Sequence, residues 1–117
     1  KQPPLIFRTN WFRQSQEGKF LWPGFGENLR VLRWVIERVH QEAGAMETPI
    51  GYVPRPQDID TNGIPVSPAM LQELLAVDPQ GWLEAAEGQR EFFNKFGERM
   101  PAEILKENAT LEQRLKR

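Results

Sequence analysis

Cysteine is absent from the 117-residue sequence, which removes disulfides and thiolate-held metals from consideration. A single histidine, His40, likewise excludes a zinc site built from several imidazoles. Long apolar runs are missing: none approaches the roughly 20 residues that a membrane-spanning helix needs. The opening Lys1-Gln2-Pro3-Pro4 lacks the apolar centre of an export signal, so a cytoplasmic location is expected. Charge of one sign is lacking too. Fifteen basic and 16 acidic residues leave a formal net charge of −1, with no broad positive field for a polyphosphate backbone or an anionic bilayer. Neither nucleic acid nor membrane is expected as a partner. The start has no Met and reads as the interior of a chain, so the sequence is expected to be a piece of a longer protein.

The length suits one compact domain with a modest core. Ten prolines and nine glycines divide it. Leu5-Ile6-Phe7-Arg8-Thr9-Asn10-Trp11-Phe12 is rich in β-branched and aromatic residues and predicts a strand. Gln14 to Lys19 is polar, contains Gly18 and predicts a hairpin-like loop returning through Phe20-Leu21-Trp22. From Asn28 to about Glu42, Leu32, Val35, Ile36 and Val39 recur at helical spacing while Leu29, Val31 and Trp34 widen the face, predicting a mostly buried helix. Asn28 fits its N-cap and Gly44 its stop. Residues 46–66 carry Pro49, Pro54, Pro56, Pro65, Gly51 and Gly63, too many breakers for a helix, and predict an extended linker. Ser67-Pro68, Asp78-Pro79 and Pro101 announce three helices, each with proline at its first position. The fold class is therefore α+β: short N-terminal strands or a hairpin, one buried helix, a Pro-rich linker and three C-terminal helices. Its subdivisions are 1–27, 28–44, 45–66 and 67–117.

Several motifs fail on their own chemistry. Asp58-Ile59-Asp60-Thr61-Asn62-Gly63 copies half of a calcium loop, but the twelfth position is Ala69 and two prolines interrupt it. Gly24-Phe25-Gly26 lacks the third glycine of a dinucleotide fingerprint. His40 has no acidic or nucleophilic partner in the pattern, and the sequon Asn108-Ala109-Thr110 lies inside a predicted helix. The phosphate-cradling Gly-x-x-x-x-Gly-Lys-Ser/Thr does not occur.

The aromatic cluster is more telling. Phe12, Phe20 and Phe25 lie on a strand end, a return strand and a glycine turn that a hairpin would gather into a slot. Stacking a purine contributes about 1–3 kcal/mol per base but accepts any base. Discrimination then needs polar groups at the ring edge, and the Asn28 amide, which can donate and accept, supplies one. Gly24 and Gly26 leave the backbone open to close approach.

Asn10-Trp11-Phe12-Arg13, Gly18-Lys19-Phe20-Leu21, Trp22-Pro23-Gly24-Phe25-Gly26-Glu27-Asn28 and Thr48-Pro49-Ile50-Gly51-Tyr52-Val53-Pro54 together resemble the C-terminal segment of GTP-dependent phosphoenolpyruvate carboxykinase. The resemblance spans residues 5–54. It implies that Phe12, Phe20 and Phe25 form the guanine pocket, that Asn28 contacts the base, and that Gly26 and Glu27 complete the loop beside GTP or GDP. It also implies a decarboxylating lyase of gluconeogenesis that converts oxaloacetate and GTP to phosphoenolpyruvate, carbon dioxide and GDP with Mn2+ and Mg2+. The metal ligands and every catalytic residue are then expected in the missing N-terminal portion of the parent enzyme, with this chain inactive alone. The alternative is a stand-alone helical interaction or structural domain without nucleotide binding.

Overall fold

The computed structural model describes residues 3–117; Lys1 and Gln2, the start of the first segment, lie outside them. The chain groups into two compact units. Unit 1 holds residues up to Met46 together with Tyr52–Ala76, and unit 2 holds Glu47–Gly51 and Val77–Arg117. Among the described residues no helix is long and apolar enough to cross a membrane.

Unit 1 is organised around two tryptophans. Trp22 and Trp34 are buried with Ile59, Val66 and Leu71, and Phe7, Trp11, Val35 and Met70 pack against them. Helix α1 (Asn28–Val39) contributes Trp34, and helix α2 (Pro68–Leu75) contributes Leu71. The strand predicted from Leu5 to Phe12 is not formed: this stretch is irregular, and a lone antiparallel bridge, Gln14 to Phe20, stands in for a hairpin ladder. Phe7 and Trp11 pack partly buried against the core, whereas Phe12 is exposed. Phe7 meets Trp34 edge-on at 6.0 Å.

Helix α1 begins at Asn28 as expected but buries only Trp34 below the surface, while Leu29, Leu32, Ile36 and Val39 remain exposed. The expected mostly buried helix is thus half covered. Nor is Gly44 its stop. Gln41 takes a left-handed φ of 62°, and the amides of Glu42 and Gln41 donate to the carbonyls of Glu37 (2.8 Å) and Arg38 (3.2 Å). This is a Schellman end with glutamine where glycine is usual.

The extended linker expected over 46–66 is also replaced by structure. Strands β1 (Met46–Thr48) and β2 (Gly51–Val53) form a two-stranded sheet joined by Pro49-Ile50, hence antiparallel, and a 3-10 turn covers Pro56–Asp58. The prolines occupy turns and helix starts instead of breaking a uniform run. Ile59 and Val66 from this segment, each 5% exposed, enter the core.

In unit 2, helices α3 (Pro79–Asn94) and α4 (Ala102–Leu115) pack on one another, with Ala86, Asn108 and Leu115 buried. Ser67 and Asp78 cap α2 and α3 through their side chains, accepting from the amides of Met70 and Gln80. Pro68 and Pro79 follow at the first helical position, whereas Pro101 is itself the N-cap of α4.

Candidate functional site

The loop bearing the candidate residues is fixed at both ends. The Arg13 guanidinium donates to the carbonyls of Leu74 (3.0 Å) and Ala76 (2.9 Å), satisfying orphan acceptors at the C-terminal end of α2. Trp22, 5% exposed, anchors the other side in the core. Between these anchors the Gln14 to Phe20 bridge, the Ser15 amide on the Lys19 carbonyl (2.8 Å) and the Leu21 amide on the Arg13 carbonyl (3.0 Å) close a compact excursion. Phe12 and Phe20 emerge on it side by side, edge to face at 6.2 Å.

Phe25 stands differently. Gly24, at φ 77°, turns the chain in a way only glycine adopts freely, and Phe25 follows at φ 43°. A bulky side chain at positive φ costs about 1–3 kcal/mol and persists only where the surroundings impose it. The ring gains no burial in return, being 98% exposed. Among the described residues it joins no aromatic pair. The structure therefore brings Phe12 and Phe20 into contact and pairs Phe25 with neither. The cleft of about 700 Å³ in unit 1 is lined by α1 and residues 56–62 and includes none of the three rings.

Gly26 has open space where a Cβ would project, so a ligand can approach its backbone unhindered. The Glu27 carboxylate is occupied by Arg30, whose guanidinium also donates to the Asp60 carbonyl at 3.0 Å. That bridge ties the glycine turn to the 56–62 segment. Asn28 is the first residue of α1, not its N-cap; its Oδ1 accepts from the Trp22 indole N–H at 3.0 Å instead of from a helix amide. Sequence reasoning missed Trp22 here. The available signal was chemical: a buried indole needs an acceptor, and Asn28 lies six residues away.

The calcium-like stretch is committed elsewhere. Arg55 holds both Asp58 oxygens, at 2.9 and 2.8 Å, and keeps this carboxyl below the usual carboxylate range. Asp60 Oδ1 accepts from the Asn62 amide at 2.9 Å. Among the described residues no group of three or more histidine, aspartate or glutamate side chains is placed to hold a metal ion.

Comparison with known proteins gives a consistent result. The family described as phosphoenolpyruvate carboxykinase C-terminal P-loop domain matches residues 1–114. A phosphoenolpyruvate carboxykinase (GTP) of Chlamydia muridarum is 47% identical over 98% of this chain, which spans 19% of that protein. The protein of the same name from Paenarthrobacter aurescens is 46% identical over 96% of the chain and 18% of its own length. A third, from Neocallimastix frontalis, is 47% identical over 97% of the chain. The chain thus spans about a fifth of the length of these relatives. The glycine-lysine phosphate motif is absent from its sequence.

Proposed function

The chain belongs to the GTP-dependent phosphoenolpyruvate carboxykinase family, and from that premise we propose that residues 10–28 form the base-recognition part of the nucleotide site. Phe12, Phe20 and Phe25 supply stacking surface, Asn28 reads the base edge, and the backbone at Gly26 and Glu27 lies alongside the nucleotide. The activity served is conversion of oxaloacetate and GTP to phosphoenolpyruvate, carbon dioxide and GDP. Phosphate, metal and oxaloacetate contacts come from the remainder of the enzyme, which is this chain's partner, and the reaction runs in the cytoplasm.

The observation that carries this reading is Phe25: a ring 98% exposed on a backbone at φ 43°. Packing would hide the ring, and ease of folding would place glycine there. A strained residue presenting a bare ring is accounted for by a ligand that covers it. Stacking on such rings contributes about 1–3 kcal/mol per base, enough to hold a purine but not to select one. Selection falls to Asn28.

Trp11 and Trp22 lie beside the loop, so their fluorescence should report binding. In the full-length enzyme carrying this chain, GDP should quench or shift the emission at concentrations well below those required of ADP. Equal responses to the two nucleotides would defeat the guanine assignment.

A further inference from the structure

Building on the guanine reading, we infer that Trp22 is a positioning residue that sets the hydrogen-bonding polarity with which Asn28 meets the base. An indole nitrogen can only donate, so the Asn28 atom 3.0 Å from Trp22 Nε1 must be the amide oxygen. The carboxamide is thereby oriented. Its oxygen faces the core, and the Nδ2 hydrogens are left for whatever approaches from outside. A free asparagine could turn over and serve either polarity; this one cannot without stranding the N–H of a tryptophan that is only 5% exposed.

The consequence is a one-sided reader. Outward-facing donors match the acceptor O6 of guanine and oppose the amino group that adenine carries at the same place. They also match inosine, which shares O6, and fail 2-aminopurine, which has the exocyclic amine of guanine but no O6. The glycine turn supports this orientation, because the Glu27 to Arg30 to Asp60 bridge anchors the residue immediately before Asn28.

Two variants of the full-length enzyme test the inference, assayed with the triphosphates of guanosine, inosine, 2-aminopurine riboside and adenosine. Trp22→Phe removes the N–H while keeping most of the ring; the guanosine to 2-aminopurine ratio of kcat/KM should fall about fivefold, the value of one neutral hydrogen bond. The guanosine to inosine ratio should stay within about twofold. Asn28→Asp keeps an acceptor for Trp22 but presents oxygen outward, and it does not disturb the core. It should lower the guanosine to adenosine ratio by about tenfold or more through unpaired acceptors facing O6. Retention of guanosine preference in Asn28→Asp would overturn the inference, since base choice would then not depend on a donor facing outward from residue 28. A fall in the inosine ratio equal to that for 2-aminopurine in Trp22→Phe would also overturn it, as a loss unrelated to O6. Equal use of guanosine and adenosine by the unaltered enzyme would remove the guanine reading itself, and this inference with it.

Discussion

Two groups of three phenylalanines occupy this chain, and they are held by different means. Phe92 and Phe93 lie in the last turn of α3 and Phe96 just beyond its end: Phe92 meets Phe96 at 5.3 Å and Phe93 at 6.3 Å, with the Lys95 ammonium 5.8 Å from the Phe92 ring. Their exposure, 53% for Phe92 and 46% for Phe96, is relieved by mutual contact. Phe12, Phe20 and Phe25 instead ride on turns, presented by two anchors, a lone bridge and a strained dihedral. Exposure alone does not mark a binding surface. What distinguishes Phe25 is that its backbone bears a cost to keep the ring in water.

The sharpest way to break this contrast is to remove one ring from each group in the full-length enzyme. Phe25→Ala should weaken guanine nucleotide binding by about 1–3 kcal/mol, read by GDP titration, with little change in melting temperature. Phe92→Ala should do the reverse, costing about 0.5–1.5 kcal/mol of stability through lost ring contacts and leaving GDP affinity unchanged. Equal losses of affinity in both would erase the distinction.

Glycine substitutions sharpen it further. Phe25→Gly and Gln41→Gly each relieve a positive φ and should each raise stability by about 0.5–1 kcal/mol in denaturant titrations. Only the first should lose nucleotide. A stability gain at 41 with none at 25 would mean the turn at Phe25 is not strained in solution.

The smallest effect is in acid. Arg55 lowers the Asp58 pKa, so the pair stabilises the fold at pH above the ordinary aspartate value of about 3.9, and that contribution is lost as pH falls through the lower, folded-state value. Asp58→Asn should therefore flatten the acid limb of a melting curve and leave GDP affinity at neutral pH unaltered. An unchanged acid limb would remove Arg55–Asp58 from the list of structural anchors.

Much of the helical architecture was legible because proline and short polar side chains act locally. Ser67-Pro68 and Asp78-Pro79 start α2 and α3 where the sequence places them, and Asn28 opens α1. Misreadings arose where a residue answered to something distant. Phe7 and Trp11 have strand-forming side chains, yet they pack on the tryptophan core with no neighbouring strand to pair with. Gln41 ends α1 because the chain must turn there, overriding the glycine three residues later. Pattern also identifies which face of α1 is apolar without saying what covers it, so Leu32, Ile36 and Val39 were expected inside and lie outside. At the candidate site the turn at Gly24 was legible, but the bare ring of Phe25 and the Trp22 to Asn28 bond depend on dihedrals and core packing that composition does not encode.

Asn108 has a quieter consequence. It is 6% exposed, and its amide donates across the seam of unit 2 to the Ala86 carbonyl at 3.0 Å and the Gln89 side-chain oxygen at 3.2 Å. Leucines tolerate sliding; a buried carboxamide does not, because displacing it by one helical turn would pull its hydrogens away from these acceptors. It works as a dowel between two rods, trading some adhesive strength for a single alignment of α3 and α4.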